Sequence, residues 1–239
     1  MLHPEQLLLL DIETVPLQPH YHLLPPRLQD HWNRKYALLD PEGKDPADGF
    51  RERAGIYAEF GKIVCIGLAY FHTVNDTLTL RTKTLYGHDE RLLLQDFAEV
   101  CERFFRNSGR LFAGHNIREF DIPYLCRRAL ITRVPLPQVL AGLQSRKPWE
   151  NPMLDTLQYW KFGEYKHFTP VDLLASVLDI ESPKGDIDGS EVGRVYWEEG
   201  DLERIARYCR RDVVTVGQIL LRLNGQDILE ATHIFEAES

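Results

Sequence analysis

The chain has 239 residues, 44% of them hydrophobic and 27% charged, which fits a globular protein of one large domain or two small ones. Its formal net charge of −8 argues against a protein that coats nucleic acid by bulk electrostatics, though not against one that grips a few phosphates locally. No apolar run approaches the ~20 residues of a membrane span, and the N-terminus lacks the basic start and long apolar stretch of a signal peptide.

Leu7 to Glu13 reads as a strand, and its continuous apolar run predicts burial on both faces and hence a central position. Residues 17–50 break the pattern with Pro, Gly and Asp, so the spacing predicts a long excursion with one helix around Leu28 to Leu38. A short helix over 51–60 closes it. Lys62 to Phe71 and Thr77 to Tyr86 alternate and are rich in β-branched residues, with a turn signal at Val74 to Asp76. Asp89 caps a helix whose apolar face is Leu93, Phe97, Val100, Cys101 and Phe104. A short strand ends at Gly114, and Glu119 to Leu130 is helical. Thr169 and Pro170 mark a helix start as cap and first helical residue. Asp201 to Leu223 is the last long helix. The adjacent opening strands predict antiparallel pairing, and the strand reached through a helix predicts a parallel crossover. The expected fold is α/β, a mixed central sheet flanked by helices. Cys65, Cys101, Cys126 and Cys209 are scattered without a paired metal spacing and read as reduced thiols of a cytoplasmic protein. Neither an internal repeat nor a low-complexity tract is present.

Three places carry candidate chemistry. Asp11 and Glu13 project from one face of the first strand. Carboxylates that close repel unless they are protonated or share a cation, and hard oxygen donors favour Mg²⁺ or Mn²⁺. Asp121 lies in the opening turn of a helix, where a carboxylate is also a good N-terminal residue. Tyr208 and Asp212 are four apart on the last helix and share a face. Alone, each has an ordinary structural explanation: a solvated strand end, a helix cap, a Tyr–Asp hydrogen bond.

Together they resemble the three motifs of the DEDD 3′–5′ exonucleases: Asp11-Ile12-Glu13, then Asn116-Ile117-Arg118-Glu119-Phe120-Asp121, then Tyr208-Cys209-Arg210-Arg211-Asp212. Tyr208, with Arg207 where the alternative histidine would stand, resembles the DEDDy branch. The stretches 54–67 and 182–192 look most like stand-alone exonucleases related to the proofreading domain of family B DNA polymerases. The resemblance spans about Leu7 to Leu223. It implies a ribonuclease H-like five-stranded mixed sheet and a single exonuclease domain over 1–239, with an inserted excursion at about 17–58.

The implied activity is hydrolysis of the 3′-terminal phosphodiester of single-stranded nucleic acid, DNA favoured, releasing nucleoside 5′-monophosphates. Two divalent ions, Mg²⁺ or Mn²⁺, would be held by Asp11, Glu13, Asp121 and Asp212. Tyr208 would orient the attacking water. Thr14, Asn116, Phe120 and Lys184 are expected against the terminal nucleotide or strand, while Phe120 serves equally as core packing. Arg146, Lys147, Lys161 and Lys166 are further candidates for a strand groove, although most of them read first as solvated surface residues, and Lys184 is the best of the group. Asp155 reads as a helix cap. The expected partners are the 3′ end of a single strand and a component of DNA repair or replication, and no membrane. The same ligand set fits a ribonuclease D-like RNA exonuclease, or a nucleic-acid-binding module that has lost catalysis. The segment 185–189 lacks the ligand spacing of a calcium loop, and His20 and His22 have no further partner at a metal spacing. Neither a Walker loop nor a dinucleotide fingerprint is present.

Overall fold

A computed structural model describes residues 3–40, 43, 45–181 and 186–236. Its sheet has six strands: β1 (Leu7–Pro16), β2 (Gly61–Val74), β3 (Thr77–Tyr86), β4 (Leu111–Gly114), β5 (Met153–Asp155) and β6 (Ile234–Glu236), in the spatial order β5-β4-β1-β2-β3-β6. β1 is central, as its apolar run predicts. It pairs antiparallel with β2 and parallel with β4, and β2 pairs antiparallel with β3 through a turn in which Asn75 and Asp76 both take positive φ, the backbone that matches strand twist in a two-residue hairpin.

The expected five-stranded sheet gains a sixth strand. The three-residue β6 pairs parallel with β3 at the edge, and the equally short β5 pairs parallel with β4 at the other edge. Neither is long enough to show a period of two.

Both faces of β1 are covered. Leu8, Leu10 and Ile12 pack with Phe112 against α3 (Glu90–Phe104) and α4 (Asp121–Thr132), through Leu93, Phe97, Ile122 and Leu125. Leu7 and Leu9 pack with Phe71 and Leu80 against Val213, Val216 and Leu220 of the long C-terminal helix Leu202–Leu223. That helix approaches the sheet closely because Gly67 lies beneath it: a Cβ there would sit 2.9 Å from Cys209 Sγ and 3.0 Å from the Cys209 carbonyl oxygen.

The excursion folds around its own aromatic centre. Trp32 and Tyr36 of α1 (Pro26–Leu39), Phe50 of α2 (Pro46–Arg53) and Phe60 are buried together. Trp32 Nε1 donates to the Pro46 carbonyl at 2.7 Å, so the buried indole N–H is satisfied. The expected helix over 51–60 is instead the end of α2 followed by a 3-10 turn at Ala54–Ile56. Short helices α5 (Thr156–Lys161), α6 (Val171–Val177) and α7 (Val192–Arg194) precede the long helix, now α8. No helix among the described residues is long and apolar enough to cross a membrane.

Candidate active site

Alternation along β1 sends Leu7, Leu9, Asp11 and Glu13 to the α8 side. The first two find apolar partners. The last two reach past them into a cleft of about 1110 Å³ whose wall also includes Asn116, Phe120, Asp121, Tyr208, Arg211 and Asp212. Residues up to 201 apart in sequence thus meet at the end of one strand.

Asp121 is brought there by the early end of β4. β4 ends at Gly114, where the turn leaves no room for a side chain: a Cβ would meet Ile117 at 2.1 Å and the Leu10 carbonyl at 2.7 Å. β1 runs on without a neighbour on that side. Asp121, the first residue of α4, fills the gap by accepting the Ile12 N–H at 3.1 Å. The loop between is tied down by Asp155. Its carboxylate accepts the N–H groups of Asn116 and Arg118, each at 3.0 Å, and also caps α5 through Leu157 and Gln158. Asp155 is therefore the predicted cap and, beyond that, the clamp of the loop that delivers Asp121. Asn116 sits at φ 63 on the cleft wall, and its buried Oδ1 has no hydrogen-bond partner among the described residues.

α8 supplies the remainder. Ile205, Cys209, Val213 and Val216 are buried against the sheet, and Tyr208 and Asp212 stand at the cleft edge of that stripe. Cys209 has a role that its reading as a scattered reduced thiol missed. Its S–H points at Asp11 Oδ2, 3.3 Å away, and potential donor atoms of Asp11, Glu13 and Cys209 all lie within 4.8 Å of one another. Burial, followed by its hydrogen bond with Cys65, pushes the Cys209 thiol well above its usual range. In the metal-free protein it therefore stays protonated, and its S–H serves as a hydrogen-bond donor to Asp11. The sequence signal was its position, one residue past Tyr208 and three before Asp212.

The electrostatics are those of crowded acids. Burial first, then the charges of Asp212 and Asp121, hold the Asp11 carboxyl well above the carboxylate range. Burial and then Asp11 do the same to Glu13. Burial raises Asp121 to about 7 and Asp212 to about 6, against a hydrogen bond from Tyr208. Arg211 is on the wall, but it also reaches Asp186 at 3.6 Å. Four carboxyls in this state are satisfied by protons or by added cations. Their hard oxygens suit Mg²⁺ or Mn²⁺, so the residues present fit a divalent metal.

The other expected contacts divide. Phe120 lines the cleft and also packs on the core, with its ring 5.4 Å from that of Tyr124. Thr14 lies on the opposite side of β1 from Asp11 and Glu13, where it hydrogen-bonds with Tyr124; it is not part of the cleft wall. Lys184 lies outside the described residues. Ile187, Asp188 and Gly189 of the segment considered as a calcium loop form part of the wall. None of the described residues of the excursion does.

A protein with this sheet and these clustered acids belongs to a known class. The chain belongs to the family of predicted 3′–5′ exonucleases related to the exonuclease domain of PolB, whose family model matches residues 56–230. A stretch of 133 residues is 25% identical to a DNA polymerase of Archaeoglobus fulgidus, covering 53% of this chain and 16% of the polymerase. The family match contains Asp121, Tyr208 and Asp212 and begins past Asp11 and Glu13. The strand bearing those two nevertheless belongs to the same sheet, because β1 lies between β4 and β2, both inside the matched region.

Proposed function

We propose that this chain is a metal-dependent 3′–5′ exonuclease that removes nucleoside 5′-monophosphates one at a time from single-stranded nucleic acid, with DNA favoured. The observation that carries the reading is the convergence of Asp11, Glu13, Asp121 and Asp212 with Tyr208 on one cleft. Membership of an exonuclease family supports the reaction class, and similarity to a DNA polymerase supports DNA over RNA.

Asp11, Glu13, Asp121 and Asp212 would hold two divalent ions, which when bound neutralise the phosphodiester and lower the pKa of water. Tyr208 orients the attacking water. Its own proton is retained, since burial and then Asp212 push the phenol above its ordinary value, so it positions the water rather than deprotonating it. Cys209 fixes one oxygen of Asp11 from below. Asp155 holds the loop that carries Asn116 and leads to Asp121. Attack by water forms one P–O bond and breaks the bond to the departing 3′ oxygen, which takes up a proton. The products are a nucleoside 5′-monophosphate and a strand one unit shorter.

The test is digestion of 5′-labelled single-stranded DNA, duplex DNA and RNA in parallel, with Mg²⁺ or Mn²⁺. Stepwise shortening from the 3′ end, fastest on single-stranded DNA and lost in Asp11→Ala, is expected. Undiminished activity in Asp11→Ala would falsify the assignment of the site.

A further inference from the structure

The segment that leaves α5 and returns to the cleft exposes three aromatic rings. Phe162 is 86% exposed, Tyr165 94% and Phe168 60%. None of them joins a hydrophobic cluster of the core among the described residues. Phe162 occupies the C-cap of α5 at φ 46, a left-handed position that glycine or asparagine fills at lower cost. Fold stability therefore gives no reason for a phenylalanine there. Its ring lies 6.2 Å from that of Tyr159.

Cations alternate with these rings. Lys161 and Lys166 make no ion pair among the described residues, while the intervening Glu164 is engaged by His167. The far end of the segment is anchored at the cleft. His115 Nε2 donates to the Thr169 carbonyl at 2.8 Å, and its ring meets Phe168 edge-on at 6.3 Å. Phe168 itself lines the cleft that holds Asp11 and Asp212. The near end begins at α5, which Asp155 ties to Asn116.

We propose that residues 159–169 form the platform for the single strand on the 5′ side of the cleaved nucleotide, with Phe162 and Tyr165 stacking on bases and Lys161 and Lys166 meeting phosphates. This rests on the exonuclease reading and adds a site to it. Exposed rings interleaved with lysines are the chemistry that holds single strands without regard to sequence, because every base has a stacking face. The charge balance points the same way. A chain of net charge −8 with an acidic cleft repels a phosphate backbone at long range, so the strand needs a local cationic approach that leads into the cleft. Continuity through Phe168 gives that approach a direction.

The experiment uses the full chain in two arms. In the first, binding of fluorescein-labelled dT20 is measured by anisotropy without divalent ions. Phe162→Ala/Tyr165→Ala is expected to weaken binding roughly 5- to 150-fold for each base stack lost, and Phe162→Trp/Tyr165→Trp to restore it. Lys161→Ala/Lys166→Ala is expected to flatten the dependence of log Kd on log salt by about 0.7 per lysine. In the second arm, hydrolysis of dT20 is compared with that of the p-nitrophenyl ester of thymidine 5′-monophosphate in Mg²⁺. The aromatic double variant raises KM for dT20 and leaves turnover of the ester unchanged. Wild-type binding by that variant, equal losses on both substrates, or failure of the tryptophan pair to restore binding overturns the platform. A wild-type protein that hydrolyses neither substrate defeats the exonuclease reading, and the binding arm still decides the platform.

Discussion

Tyr208 shows how one side chain's surroundings select its task. A phenol of ordinary pKa near 10 begins to ionise within the alkaline range of an enzyme assay. Here burial, the charge of Asp212 and then that of Glu13 all oppose ionisation in the metal-free protein, and burial, the largest of them, still raises the phenol once ions neutralise the two acids. Removing the hydroxyl takes away a hydrogen bond to a charged group, which is worth about 1.5–3 kcal/mol. Tyr208→Phe should therefore lower kcat roughly 10- to 150-fold and leave the shape of the pH–rate profile up to pH 10 unchanged. An alkaline limb that disappears in the variant would mean that Tyr208 is the base after all.

At the level of elements, the site depends on where strands stop. β4 is four residues long and β5 three, and the space beyond them is spanned by a loop whose N–H groups converge on the Asp155 carboxylate. Asp155→Ala would strip partners from four backbone N–H groups at once, each costing ~1 kcal/mol or more where water cannot replace the bond. The expected loss is about 3–5 kcal/mol in urea unfolding, with Asp155→Asn recovering part of it; a loss below 1 kcal/mol would show that the loop holds itself. This dependence also explains what the sequence could reveal. Asp11 with Glu13, and Tyr208 with Asp212, are fixed by strand and helix periods, so their shared faces are legible locally. Thr14 shows the same rule from the other side, since a period of two turns it away from the two acids. Asp155 could be read as a cap, yet its grip on Asn116 and Arg118 depends on β5 pairing with β4, a contact between two segments too short to show a period. The sixth strand and the joining of Trp32 with Phe60 escaped for the same reason: each is a tertiary pairing without a local pattern.

For the whole molecule, the acidic centre couples stability to pH and to divalent ions. In the metal-free protein the folded-state carboxyls hold their protons more tightly than in the unfolded chain: Asp121 titrates near 7 against a reference of 3.8, and Asp212 near 6. Between about pH 4 and pH 7 the native state thus binds more protons than the unfolded state, and unfolding free energy falls as pH rises. Each unit of raised pKa corresponds to about 1.4 kcal/mol, so the decline over this window is on the order of several kcal/mol. Asp186, where burial is outweighed by bonds and charge from Arg204, and Asp188, hydrogen-bonded by Ser190, are shifted down and work in the opposite sense. The informative quantity is therefore the difference between wild type and Asp121→Asn, which retains the acceptor for the Ile12 N–H and cancels those terms. Metal-free wild type should lose Tm relative to the variant as pH is raised from 4 to 7. Saturating Mg²⁺ or Mn²⁺ at a hundred times its dissociation constant adds about 2.7 kcal/mol, or roughly 5–10 °C for a chain of this size. An ion that stays bound across this window holds the carboxyls ionised in the native state as well, so the decline with pH is abolished. Calorimetry across that range, with and without the ion, checks both expectations. A difference that stays flat in the metal-free protein would mean that the four acids do not share one low-dielectric site.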